Sequence, residues 1–502
     1  MKRLPCLRAG LTYACVAMTM AMTMTTQVAG AEDLTSISVN QAIERALAGN
    51  VDLRRERVAV ASAAARQLAA EGQFDVRLQA SLDEKRESAP LLSCAPLCQD
   101  MAFVRSTGLA LGVARSLESG GALRIAALTG QFVADQPSIA GNTYYSTGLA
   151  LTFSHPLLRG LGAEVTLANL RKARIQQDAA QLGRQMRACN VVRDVIIAYW
   201  ELAYATQDLA IRRSALALSQ EQLHTTQALI AVGRLADSDA ASVERAIAQR
   251  MEELADGEQT LYFRSLDLQR LFGATAEITS PILAAADTPA TGAGKVDLAA
   301  EISRALEANP QLRALKLGLQ LSQADVATAR NTLRPKLDFT GSVGPVGWNT
   351  GAGESAKQTA GFGALTWSAG LALDLPVQNR GARGQMQSAE EELNLARVNA
   401  EDFAMQLRDL VLRAARSIQT ASTRVALGQR EVGFAQLNLD AERSRFQAGR
   451  ATNNDVLLRQ QEFKDAQTRL LRASVDQNES EAALSAATAD ILDRYGIALK
   501  GL

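Results

Sequence analysis

The chain has 502 residues, of which 47% are hydrophobic but only 4% aromatic, and its 53 basic residues balance 53 acidic ones. A chain rich in Ala, Leu, Gln, Arg and Glu and poor in aromatics has the composition of long packed helices, which excludes an ordinary layered α/β enzyme. The even charge balance removes the basic excess that a nucleic-acid partner requires.

Residues 1–31 read as a signal peptide: Lys2, Arg3 and Arg8 form a positive head, Leu11 to Met24 a weakly apolar core, and Ala29, Gly30 and Ala31 a small-residue cleavage site. The residues before Cys6 and Cys15 do not make a lipoprotein signal. No later stretch reaches the roughly 18 apolar residues of a membrane-spanning helix, so any insertion after export has to use strands.

An amphipathic helix is predicted over about 40–71, and its head, IERALAGN (43–50), recurs as ISRALEAN (302–309). The register persists without a gap, so that FDVRL (74–78) falls on LRPKL (333–337). The chain therefore reads as two structural repeats, 32–280 and 296–502. Between them lies a linker, 281–295, rich in Ala, Thr and Gly and expected to lie across the outside of the bundle.

Strand patterns follow each opening helix. FDVRLQASL (74–82), TGLALTF (147–153), LDFTGSV (337–343) and AGLALDL (369–375) alternate apolar and polar or small residues, as strands of a transmembrane barrel do. The stretch GLALGVARSLESGGALRIAAL (108–128) can add a hairpin to the first half, which leaves the strand count open. Cys94 and Cys98, in LLSCAPLCQD, are expected to close a small disulfide in an exported protein; no histidine lies near to make a metal site.

Residues 157–280 and 377–502 contain no proline, which admits very long helices. Val195, Leu202, Leu209, Leu216, Leu223 and Ile230 form a ladder of period seven, matched by Val411, Ile418, Val425, Val432, Leu439 and Phe446. Both ladders stop at similar punctuation, AVGRLADSD (231–239) and QAGRATNND (447–455), where Gly233 and Gly449 suit left-handed C-caps and the residues after them suit N-caps. The first long helix is predicted over about 163–231 and its return over about 240–272. Roughly 69 residues give a rod of ~100 Å, beside which the opening and return helices can stack end to end.

The RALxxN heads, LRPKL, SHPLLRGLG (154–162), LPVQNRGARG (375–384), and the Gly233 and Gly449 turns followed by Asp239 and Asp455 together resemble the TolC family of outer-membrane efflux proteins, over about 38–496. The resemblance implies a mainly α fold with a transmembrane β element. Duplicated long antiparallel coiled-coil hairpins would form an α-helical barrel, and four strands per subunit would contribute to a shared trimeric 12-strand β-barrel. It further implies a homotrimer in the lipid bilayer of the bacterial outer membrane, extending into the periplasm and docking on a periplasmic adaptor protein and an inner-membrane transporter. Trimerisation also meets a physical need, since four strands alone leave open edges that lipid cannot hydrogen-bond.

The implied function is the passive exit duct of a tripartite efflux system for small toxic compounds. The alternative is the exit duct of a type I protein secretion system, and a third reading is a trimeric coiled-coil structural or adhesive protein of the cell surface. The returning hairpins oppose that last reading. With no clustered nucleophile, base or ligand set, no enzyme activity, cofactor or metal is expected.

By the same resemblance, Asp239 and Asp455 would narrow the periplasmic entrance with up to six carboxylates in a trimer. Either can instead serve the first turn of its return helix, where a carboxylate complements the dipole. Three positions on, where one family pattern has a second aspartate, stand Ser242 and Leu458, which opens the alternative of an apolar ring at Leu458. Arg234 and Arg450 suit an adaptor contact, a latch across the tip, or simple helix C-terminal charges. Tyr199 and Trp200 read as packing and Cys189 as a small buried hydrophobe. Trp348 and Trp367 are expected near a lipid interface. His155 and His224 are too far apart for a shared site.

Overall fold

The structure, a computed structural model, describes residues 34–90, 101–135, 143–275, 281–290, 292 and 296–498. The predicted signal peptide and the Cys94/Cys98 pair lie outside the described residues. The first half runs β1 (Leu34–Ile37), α1 (Val39–Gly49), α2 (Val51–Glu71), β2 (Arg77–Pro90), β3 (Met101–Ser116), β4 (Ala122–Asp135), β5 (Thr143–Pro156), α3 (Ala163–Thr166), α4 (Ala168–Ala231) and α5 (Ser238–Leu271). The second runs β6 (Ile282–Ala285), α6 (Leu298–Ala308), α7 (Pro310–Thr332), β7 (Lys336–Asn349), α8 (Ala352–Ala360), β8 (Leu365–Asp374), α9 (Arg380–Gln447), α10 (Asn453–Ala487) and α11 (Ile491–Arg494).

The proline-free tracts become the two long helices, α4 with 64 residues and α9 with 68, each about 100 Å long. Helices α2 and α5 pack along α4, and α7 and α10 along α9. The period-seven ladder is buried at Val195, Leu202 and Leu209 and at Val411, Ile418, Val425, Leu439 and Phe446. Beyond Leu209 the buried stripe of α4 leaves the ladder and passes to Ala215, Ser219, Gln222 and Thr226. A straight helix drifts against a strict repeat of seven, and here that drift turns a polar seam toward the second hairpin.

Each predicted opening helix is two helices. Asn50 leaves helical geometry (ψ 129°), and its Oδ1 accepts the N–H groups of Asp52 and Leu53, capping α2. Asn309 does the same for α7, accepting from Gln311 and Leu312 with Pro310 at the first helical position. Each asparagine then donates its Nδ2 to the end of the return helix: Asn50 to the Leu271 carbonyl at 2.9 Å, Asn309 to the Ala487 carbonyl at 3.0 Å. The duplicated RALxxN stretch thus carries a joint at which three helix ends meet.

The largest core gathers around this joint, with Ile43, Val195, Tyr199, Leu202, Leu268 and Ile491 almost wholly buried. Burying such side chains contributes about 1.5–3 kcal/mol each. Tyr199 and Trp200 pack there as expected, and the free Cys189 is buried, its thiol pushed up to about 11 by burial. The first residues of the expected surface linker instead form β6, which pairs in parallel with β1 and buries Ile282 and Leu283. Beside this pair the Tyr199 hydroxyl lies 2.7 Å from Asp287 Oδ2, which also accepts the Val39 N–H at 2.9 Å. The pairing fastens the segment between the halves into the core.

The remaining strands form one antiparallel sheet in the order β2-β3-β4-β5-β7-β8. Among the described residues six strands join this sheet where the resemblance implied four per subunit, because 108–128 alternates on both sides of a tight turn and supplies the hairpin β3–β4. Registered neighbours across the sheet, Leu78, Val113, Ile125, Leu151, Val343 and Trp367, are apolar on every strand. Trp367 therefore lies on the apolar face, whereas Trp348 lies on the opposite one, stacked on Phe132 with ring centroids 5.1 Å apart. Among the described residues, no helix is long and apolar enough to cross a membrane.

The strand-to-helix junctions are cross-tied. Asn331 accepts the Gly160 N–H at 2.8 Å, Leu157 N–H reaches the Leu337 carbonyl at 2.7 Å, and Asn379, left-handed at φ 44°, donates to the Leu333 carbonyl at 3.1 Å. These bonds join residues 331–337, around LRPKL, to both SHPLLRGLG and LPVQNRGARG, so the sheet and the helical hairpins are held in one orientation.

Candidate functional site

At the far end of the hairpins, α4 and α9 each turn through a left-handed glycine, Gly233 at φ 76° and Gly449 at φ 71°. Gly233 N–H bonds Ile230 O at 2.8 Å and Arg234 N–H bonds Leu229 O at 2.9 Å; Gly449 and Arg450 repeat this on Phe446 and Arg445 at 2.9 and 2.8 Å. The paired bonds satisfy the last carbonyls of each helix, a geometry that disfavours any residue with a Cβ at the glycine. The Arg234 guanidinium lies beside the second turn, 3.3 Å from where a Cβ on Gly449 would stand. Arg450 is exposed.

The two aspartates both serve the turns. Asp455 accepts the Thr452 N–H at 2.9 Å and its hydroxyl at 2.7 Å, while its own N–H bonds the Thr452 oxygen at 3.3 Å, a reciprocal cap for α10. These Thr452 donors hold the Asp455 carboxyl below the usual carboxylate range. Asp239 accepts the Ala236 N–H at 3.0 Å. Both carboxylates remain partly exposed, so capping fixes their position without removing their charge from solvent. Leu458 is 51% exposed, one turn along α10.

The residues that join the two tips carry no signature in the sequence reading. Asn453 is buried, and its Oδ1 accepts from Gln222 Nε2 at 2.8 Å and lies 2.8 Å from the Thr226 hydroxyl, while its Nδ2 donates to the Asp239 carbonyl at 3.2 Å. Two turns on, Gln460 accepts from the Ser219 hydroxyl at 3.3 Å. Under this polar seam lie the buried apolar residues Leu439, Phe446 and Val456. The available signal was the interruption itself: Ser219, Gln222 and Thr226 recur at spacings of three and four opposite Asn453 and Gln460, seven apart.

Charged pairs continue the seam toward the sheet. Lys464 of α10 meets Glu253 of α5 at 2.8 Å, and Arg472 meets Glu201 of α4 at 2.6 Å while also holding Asp476 at 2.6 Å and Glu479 at 3.1 Å. Burial pushes the Glu479 carboxyl up to about 7, with Arg472 opposing and Glu201 adding to the shift. The folded chain thus keeps a proton that the unfolded chain releases, so stability falls as pH rises from the ordinary glutamate value to about 7. Glu479→Gln is expected to flatten the decline in melting temperature between about pH 5 and pH 8 and to leave the value near pH 4 unchanged. An unaltered decline would remove Glu479 as its source.

Among the described residues, no group of His, Cys, Asp and Glu is placed to hold a metal. Residues 302–490 match the family model of outer membrane efflux proteins. Nodulation protein T of Rhizobium leguminosarum bv. trifolii is 25% identical over 309 residues, 61% of this chain and 64% of its own length, so less than two thirds of that relative is spanned. Outer membrane efflux protein BepC of Brucella suis biovar 1 (strain 1330) is 23% identical over 351 residues, 70% of this chain and 74% of BepC. The crystal structure of the outer membrane protein VceC from Vibrio cholerae covers 90% of this chain and 96% of its own with a TM-score of 0.63 at 17% identity, a likeness of fold.

Proposed function

From the match of residues 302–490 to the outer membrane efflux family and the likeness to BepC, we propose that the chain is a TolC-like outer membrane efflux protein and the passive exit duct of a tripartite efflux system for small toxic compounds. On this reading it is an outer-membrane channel protein protruding into the periplasm. One observation carries the reading: two antiparallel hairpins about 100 Å long hang from a single sheet with an apolar line running across all its strands from Leu78 to Trp367. In the proposed assembly three copies form the duct, each built from repeats 32–280 and 296–502 about the segment 281–295. A periplasmic adaptor and an inner-membrane transporter supply loading and energy. The reading as a type I secretion duct uses the same tunnel, and the efflux name of BepC favours the first.

Disrupting the gene is expected to raise intracellular accumulation of a fluorescent efflux dye, with restoration on complementation. Normal accumulation together with loss of a protein from the culture medium would transfer the reading to secretion. Loss of surface attachment alone would transfer it to the adhesive class.

At the entrance, Asp239, Asp455 and Leu458 are proposed to line the narrowest ring, with the Gly233–Arg234 and Gly449–Arg450 turns facing the adaptor. The support is their common position at the tips and the exposure of Leu458, Arg234 and Arg450. Asp455→Asn keeps an oxygen for the Thr452 cap and deletes the charge, so it separates the two roles of this side chain. In planar bilayers the variant is expected to lose part of its cation preference with little change in thermal stability. Unchanged ion selectivity would take Asp455 out of the ring.

A further inference from the structure

The sheet has two more strands than the four per subunit that the resemblance implied, and their placement bears on the outer-membrane pore. Resting on the duct reading above, we propose that all six strands are barrel staves and that β8 of one copy pairs with β2 of the next. Three sheets of six then close an eighteen-stranded barrel in place of a twelve-stranded one.

The hairpin β3–β4 shares the two-faced character of its neighbours. In the line Leu78, Val113, Ile125, Leu151, Val343, Trp367, the hairpin residues Val113 and Ile125 are as apolar as those on either side. One residue along, the opposite face reads Arg77, Ala114, Arg124, Thr152, Ser342, Ser368, polar or small throughout. A hairpin outside the wall would have no reason to keep both faces in register with it. Strands β3 and β4, with 16 and 14 residues, exceed the roughly 9–11 that a tilted strand needs to cross a bilayer.

The hairpin is also anchored below. Its turn places the Ser119 carbonyl 3.0 Å from the Gly162 N–H, at the entry to the long helix. At Gly120, left-handed with φ 98°, a Cβ would come within 2.3 Å of the Gly160 carbonyl. The turn is thus seated in the strand-to-helix junction, at the level where the other staves also end.

The two edges fit each other. Strands alternate in direction across the sheet, and because six is even, β8 runs antiparallel to β2 of a neighbouring copy. Leu78 and Trp367, 80% and 72% exposed, bring the apolar line to both edges. Open edges cannot face lipid, and a six-stranded barrel closed within one chain would be too narrow, since about eight strands are needed just to enclose their side chains. A second copy is therefore the partner of each edge. Barrel width grows nearly linearly with strand number, so eighteen strands give a backbone diameter of about 35 Å against about 24 Å for twelve. With so wide a barrel, selection among solutes falls to the periplasmic tips.

The test is electron microscopy of the full chain purified from outer membranes, at a resolution that separates strands. The expected particle is threefold, with eighteen staves and a barrel about 35 Å across. A threefold particle with twelve staves and β3–β4 outside the wall would overturn this inference and leave the duct reading standing; a particle without a threefold hollow axis would overturn both. As a second measurement, residues 91–142 are replaced by a short Asn-Gly turn. This joins β2 to β5, which it can meet antiparallel, and the barrel is expected to narrow to twelve staves with the trimer retained. An unchanged diameter in that variant would overturn the proposal.

Discussion

Replacing both Asn50 and Asn309 with alanine is expected to cause the largest loss of stability of any conservative pair of changes in the helical region. Each asparagine caps one helix through Oδ1 and ties another through Nδ2, and both are buried. Loss of a cap costs about 1 kcal/mol, and leaving a buried carbonyl without its donor adds about 1–2 kcal/mol, so each single variant should lose about 2–3 kcal/mol. The sites share no partner, so the losses should add. Denaturant unfolding of the purified protein measures this, and a double variant within about 0.5 kcal/mol of the parent would show that the joint is held by apolar packing alone. Asn→Asp at either position retains the cap and deletes only the donor, which apportions the two parts.

Asn453→Leu is expected to have the largest effect on conduction. The substitution removes the one side chain that bonds Gln222, Thr226 and the Asp239 carbonyl together, and it strands buried polar groups on α4. Each abandoned group costs about 1–3 kcal/mol, enough to shift a tip contact between states by tenfold or more. The first hairpin should then part from the second at the tip, and single-channel conductance should rise. A double-mutant cycle with Gln222→Leu locates the effect: two apolar partners restore a matched interface and should recover part of the lost contact. Parental conductance in Asn453→Leu would mean that the tips are held apart or together by other contacts.

The long helices, their turns at Gly233 and Gly449 and the two-faced strands were legible because each rests on a local rule: missing prolines, a period of seven, a left-handed glycine, alternation. The aspartate caps at Asp239 and Asp455 were legible as one of two readings, since a carboxylate in a first helical turn satisfies both. What escaped depends on distant partners. The break at Asn50 left a local trace, a capping asparagine after Gly49 whose counterpart Asn309 precedes Pro310, but its tie to the carbonyl of Leu271 is invisible in the sequence. The fastening of Ile282 and Leu283 depends on β1, and an Ala-rich stretch ending in Pro and Gly reads as loose until that strand is beside it. The polar seam of α4 is hidden by the ladder itself, which continues in the sequence through Leu216 and Leu223 after the buried face has rotated away. The hairpin β3–β4 was visible as a pattern, but its membership in the sheet is decided by register with β2 and β5.

The short pairing of β1 with β6 also imposes an order of events on biogenesis. The segments it joins, like Val39 and Asp287 beside them, stand 248 residues apart, so closing that loop is slow and entropically costly compared with forming either hairpin. During vectorial synthesis and export, the strand at Leu34–Ile37 emerges early and waits until the entire first hairpin and its return helix have followed. The central core, whose Tyr199 bonds Ile37 at the end of β1 and Asp287 just after β6, therefore cannot begin to close before the first half is complete, and it waits further for Leu471, Val475, Ile491 and Leu492 from the second half. A chain stalled before Ile282 lacks that closure and is expected to stay a substrate for periplasmic proteolysis, which makes the smallest sheet in the molecule a checkpoint for its first half.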